Sequence, residues 1–139
     1  MNAPLYTIEI LRLAGSLPEA APLERVDGHS EQRSPTCGSS VLTDVQVEDG
    51  RVVALSQSVR ACAFGQASAS LVAQHAVGRS REEIATVLAA LTAWLDGTCD
   101  DPGGWGLDAL APARSRKSRH GAILLPFRAL LAAVEEAGA

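Results

Sequence analysis

Aromatic side chains are scarce, 4% of the 139 residues, so aliphatic side chains and alanine must fill the core. No apolar run approaches the ~18 residues that a membrane-spanning helix needs. The opening stretch MNAPLYTIEILRLAGS has no basic head and carries Glu9 and Arg12 inside its apolar part, which argues against a secretory leader. A basic excess is also missing. With 12 Lys and Arg against 16 Asp and Glu, the formal charge is −4, which excludes a general pull toward nucleic acid or anionic membranes. Three cysteines, an odd count with no export signal, read as thiols of a reducing cytoplasm. Neither C-x-x-C nor H-x-x-x-H occurs, so the common zinc spacings are excluded. There is no internal repeat and no low-complexity segment.

What is present suits one domain with a real core and no need of disulfide staples. Residues 4–16 carry apolar side chains at helical spacing and predict a first amphipathic helix. Residues 17–36 are polar and broken by Pro18, Pro22, Gly28 and Pro35, which predicts an irregular crossing loop. From Ser39 the period changes to two: Val41, Thr43, Val45 and Val47 share one face, and RVVALSQSV (51–59) follows as a second strand. Asp49-Gly50 between them predicts a two-residue hairpin turn. If Glu48 faces Arg51, Val47 meets Val52, Val45 meets Ala54 and Val41 meets Ser58. Extended without a bulge, that ladder sets Cys37 opposite Cys62, 25 positions apart, at the open end of the hairpin. A helix over 63–77 ending at Gly78, a capping box in SREE (80–83), a helix carrying Ile84, Val87, Leu88, Leu91, Trp94 and Leu95, a loop over 96–106 and a last helix near 122–137 complete the chain. Pro126 would sit in the first turn of that last helix or kink it. Helix, strands, helices in this order predict an α+β fold with helices on one sheet face.

The stretch RACAFGQASASL places Cys62 ahead of a run of very small residues. A thiol at a helix N-terminus meets the positive end of the macrodipole and unpaired N–H groups, which stabilise negative charge there. Cys62 therefore reads as a nucleophile or metal ligand, the alternative being a small buried hydrophobe. Cys37, in SPTCGSS, follows a proline that extends the chain and precedes a glycine that lets backbone come close. Cys99 sits in a Gly/Asp-rich loop and reads as an incidental thiol; His29 and His75 carry no partner signal. His120 ends RSRKSRH, where Arg114, Arg116, Lys117 and Arg119 form either a solvated loop or a docking patch for an acidic partner.

SPTCGSSVLTDVQVEDGRVVALSQSVRACAFGQASASLV resembles the core of the U-type iron–sulfur cluster scaffolds, the IscU/NifU/SufU family. Those proteins carry a P-x-C-G-D strand entry, a hairpin, and G-C-x-x-x-x-A-S-A-S opening a helix. The resemblance spans nearly the whole chain. GRSREEI is similar to the family's "GK…EE" helix start, and the longer loop near 96–112 looks like the SufU branch. It implies a single NifU-like domain over 1–139, with a small antiparallel sheet and helices packed on one face in the SufE/NifU manner. It also implies a cytoplasmic, non-enzymatic scaffold that binds a transient iron–sulfur cluster, or zinc, through Cys37 and Cys62. Cysteine desulfurase and recipient apo-proteins are the implied partners, with no nucleic acid or membrane, and a homodimer is left open.

Two family ligands do not carry over. The aspartate two residues after the first cysteine is Ser39 here, and the third cysteine aligns with Ala122, or with Gly121 after a one-residue shift. The IscU-branch chaperone segment LPPVK is absent as well. A [2Fe–2S] cluster and structural zinc each want four donors. Cys37 and Cys62 supply two, and His120, Cys99, a second subunit or an external thiol would have to complete the set. Two alternatives follow: Cys62 as a persulfide acceptor without metal, or a degenerate paralogue that keeps only a docking or regulatory role.

Overall fold

The computed structural model describes residues 6–35 and 38–139. Helix α1 (Ile8–Gly15) opens on Thr7, whose side chain accepts from the Ile10 N–H at 3.1 Å, and it buries Ile10. Strands β1 (Gly28–Arg33), β2 (Ser40–Glu48) and β3 (Arg51–Arg60) form one antiparallel sheet in the order β1-β2-β3. Helices α2 (Ala63–His75), α3 (Arg81–Leu95) and α4 (His120–Glu136) follow, with short 3-10 turns at Leu107–Ala113 and Lys117–Arg119 before the last. The inward residues Val41, Thr43 and Val45 of β2 are buried, and α4 lies over β1 and β2 while α2 lies over β3. The sheet thus has helices on one face, as the sequence pattern predicts.

Strand β1 falls inside the stretch expected to be an irregular loop. Its residues GHSEQR contain no apolar side chain, so hydrophobic alternation could not announce it. The inward positions are Gly28 and Ser30, small because α4 lies so close. A Cβ on Gly28 would stand 1.9 Å from the Ala133 carbonyl oxygen.

The hairpin turn forms at Asp49-Gly50, both with positive φ (53° and 75°), and sets Glu48 opposite Arg51 and Val47 opposite Val52. The expected register holds no further. Gln46 pairs with Ala54, leaving Val53 as an extra residue, so Val45 meets Leu55 and Val41 meets Val59. The paired ladder stops at Ser40 and Arg60. The uninterrupted register that set Cys37 opposite Cys62 is therefore overturned, and Cys37 itself lies outside the described residues.

Helix α2 is the hub. Phe64, Gly65 and the unbroken run Ala67–Val72 are buried, with α1, α4 and β3 packed around it. A helix enclosed on several sides needs small residues on several sides, and Ala-Ser-Ala-Ser supplies them. Helix α3 starts on the predicted capping box, with Ser80 and Glu83 bonded reciprocally. Helix α4 begins two residues earlier than expected and holds Pro126 in its interior.

Candidate functional site

Three chain segments converge at one end of the sheet. Beyond β1, the Ser34 N–H donates to the Ser39 carbonyl at 2.9 Å, closing the four-residue connection whose sequence is Pro-Thr-Cys-Gly. Beyond β3, Ala61 leads to Cys62 at the N-cap of α2 in extended backbone (φ −67°, ψ 175°). The third segment is the start of α4. A Cβ on Gly121 would stand 3.3 Å from Ser34 Oγ, and one on Gly65, in the first turn of α2, would stand 3.2 Å from the Ala122 carbonyl oxygen.

The α2–α4 contact explains much of the local sequence. Pro126 has no N–H, so the Ala122 carbonyl four residues earlier lacks its helical donor. That oxygen faces Gly65, and the next carbonyl, of Ile123, accepts the Ser68 hydroxyl at 2.6 Å. A serine of the ASAS run is thus spent on helix packing. Neighbouring Gln57 of β3 reaches across from the sheet to the Ala69 carbonyl at 3.0 Å.

Cys62 is a free, half-buried thiol resting on the edge of the main core. No side chain caps α2, and its first turn holds no acidic residue, so the thiol shares its end of the helix with unneutralised N–H groups. His120 opens α4 with its Nε2 directed at the Ala113 and Arg114 carbonyls, 2.9 and 3.1 Å away. In the neutral ring, donation from Nε2 leaves Nδ1 as the nitrogen able to act as a ligand. Cys99 is a free, partly buried thiol in the loop after α3; its Sγ contacts the Asp101 carbonyl at 3.4 Å, and its own carbonyl accepts from Arg114. Ala122 is buried against the start of α2, and Ser39 is buried at the end of the β1–β2 connection. Among the described residues, no three His, Cys, Asp or Glu side chains gather into a metal-holding group.

The other two histidines have partners that the sequence did not signal. His29 Nδ1 meets Asp44 Oδ1 at 2.5 Å across β1 and β2, and this contact raises its pKa above the ordinary value. His75 stacks on Trp105, ring centroids 6.0 Å apart, and burial followed by the nearby Arg79 charge lowers its pKa.

A three-stranded antiparallel sheet, helices on one face, and a thiol opening the central helix beside the start of the last one form the arrangement that the resemblance to the U-type iron–sulfur scaffolds implies. Comparison with solved structures agrees. The N-terminal domain of a nitrogen-fixing NifU-like protein from Brucella abortus is 29% identical with a TM-score of 0.90, the match covering 96% of this chain and 94% of that one. A protein assigned as an iron–sulfur cluster assembly scaffold for the SUF system of Fervidobacterium islandicum AW-1 is 17% identical with a TM-score of 0.82, covering 94% of this chain and 96% of that one; it shares the fold. No protein-family model matches the sequence, and no curated protein does. In fold and, at 29% identity to the NifU-like domain, in sequence, the chain is similar to the U-type scaffolds. Among the described residues, no helix is long and apolar enough to cross a membrane.

Proposed function

We propose that this protein is an iron–sulfur cluster assembly scaffold that receives a nascent cluster as cargo through Cys37 and Cys62, with His120 Nδ1 as a further donor. The observation that carries the reading is the placement of Cys62: a free, half-buried thiol at a helix N-terminus that no side chain caps, in a fold similar to that of a NifU-like domain. Thiolates are the usual cluster ligands, and a site with few protein donors holds its cargo loosely enough to pass it on. The partners in this reading are a cysteine desulfurase and the apo-proteins that take the cluster, and the compartment is the reducing cytoplasm.

One observation favours a second reading. Ala122 is packed against Gly65, and neither it nor Gly121, the two candidates for the family's third-cysteine position, offers a donor side chain. Sulfur transfer needs only one nucleophile. The ionised Cys62 thiol would attack the outer sulfur of a desulfurase persulfide; the S–S bond breaks, the desulfurase cysteine leaves as thiolate, and Cys62 becomes the persulfide.

The two readings separate in one experiment. Protein purified without oxygen is assayed for iron and acid-labile sulfide, beside Cys37→Ala and Cys62→Ala variants. The scaffold reading expects iron with sulfide, restored by chemical reconstitution with ferrous iron and sulfide and lost in either variant. Persulfide labelling lost only in Cys62→Ala, with no iron bound after reconstitution, would replace it with the acceptor reading. Zinc without sulfide would count against cluster assembly.

A further inference from the structure

Helices α1 and α3 are opened by side-chain oxygens, Thr7 accepting from the Ile10 N–H and Ser80 from the Glu83 N–H, as helix N-caps ordinarily are. Helix α2 is opened by Cys62, whose side chain caps nothing. A tie across this helix start exists nonetheless, and it comes from inside the helix. The Gln66 side chain turns back and donates from Nε2 to the Ala61 carbonyl at 3.2 Å, while its backbone N–H donates to the Cys62 carbonyl at 2.9 Å. Only an amide nitrogen can donate to a carbonyl, so the acceptor fixes which way the Gln66 amide points. From residue 64 to residue 72 every residue except Gln66 is buried; Gln66 is half-buried and follows Cys62 by about one helical turn.

The two bonds have a geometric consequence. The Ala61 and Cys62 carbonyls belong to the two peptide groups that flank the Cys62 Cα. With both planes held, the Cα–Cβ bond of Cys62 keeps one direction, at φ −67° and ψ 175°. We infer that Gln66 is the positioning residue of Cys62: it supplies from within the helix the tie that an N-cap oxygen would supply, and so holds Sγ at the helix start without engaging it as an acceptor. This deepens the reading of Cys62 as the working thiol and rests on it. Serine at the same position would cap the helix but bring no soft ligand or sulfur nucleophile. Cysteine without Gln66 would bring the sulfur on a loose backbone, and a thiolate gains from the helix N–H groups only while it stays beside them. The G-C-x-x-x-x-A-S-A-S pattern leaves this position unspecified, so the motif does not mark it.

The test compares the intact chain with Gln66→Met, which keeps length and helix preference but has no donor, and Gln66→Lys, which keeps a donor. Each is reacted at one pH with a small aromatic disulfide, and the exchange rate is read at Cys62 and at Cys99 by peptide mass spectrometry. All three are measured at high salt, which screens an exposed lysine charge far more than a half-buried contact. Gln66→Met should slow Cys62 by roughly two- to fivefold, the size of effect that holding a charge at a helix N-terminus has, and leave Cys99 unchanged. Gln66→Lys should restore most of the lost rate. An unchanged or faster Cys62 in Gln66→Met would overturn the inference, whatever its melting temperature. So would equal slowing of Cys99, or a Gln66→Lys variant no faster than Gln66→Met. Iron and sulfide uptake on reconstitution is read on the wild type alone: its absence would strike the scaffold reading, while the exchange rates judge Gln66 separately.

Discussion

Ser68 gives its hydroxyl proton to a helix carbonyl beside a proline, so its contribution is structural although it lies in a functional-looking motif. Ser68→Ala should cost about 1–2 kcal/mol, the usual range for a lost buried hydrogen bond, and leave thiol chemistry at Cys62 intact. Gly65→Ala should behave differently. The new methyl would stand 2.5 Å from the Ala61 Cβ and 3.2 Å from the Ala122 oxygen. The expected result is a loss of about 1–3 kcal/mol together with impaired cluster loading, because the turn that carries Cys62 must move. Urea denaturation and iron content, measured on both variants, check the contrast. At this scale the sequence was informative about Cys62, whose helix-opening position follows from local pattern. It was silent on Ser68, because a serine's partner 55 residues away leaves no local trace.

Between elements, β3 is stitched to the α2–α3 turn. The Val52 N–H donates to the Arg79 carbonyl, the Gly78 N–H donates to the Val52 carbonyl, and Arg51 bonds Glu83 at 2.7 Å. The Ser80 backbone N–H and then Arg51 pull the Glu83 carboxyl down to about 2 from an ordinary 4.5. A depressed carboxylate stabilises the fold above its unfolded pKa and loses that contribution as pH falls through the folded one. Glu83→Gln should therefore lower the melting temperature near neutrality, and the gap to wild type should close between about pH 4.5 and 2. A gap independent of pH would refute the linkage. The capping box and the Asp-Gly turn were legible because their chemistry is contained within four residues. The extra residue at Val53 and the polar strand β1 were not, since both depend on what packs against the strand.

Across the molecule, the long connection after α3 is anchored by Trp105, whose backbone φ of 58° is unusual for so large a residue. Its ring stacks on His75 and contacts Phe127, with Arg79 5.4 Å above it. Trp105→Ala should cost about 3–5 kcal/mol, and Trp105→Gly should cost less than Ala despite removing more, because glycine accepts positive φ without strain. Equilibrium unfolding of the pair reads the order directly. The reverse order would show that the backbone strain is negligible. The α+β class was visible from the succession of periods along the chain. The buried tryptophan was not, because the loop around it is rich in glycine and aspartate and carries no hydrophobic period.

Each rim of the sheet carries a contact from another part of the chain. At β3 the Ala21 N–H donates to Ser56 Oγ at 3.0 Å, and along β1 the outward His29 N–H is taken by the Glu136 carboxylate. Exposed strand edges invite other chains to add on, and a protein whose active end must stay open to partners runs that risk whenever it is crowded. Here Ala21 and Glu136 each put one hydrogen bond on an outer strand, β3 and β1 respectively. Each such contact puts an obstacle in the way of strand addition at that side.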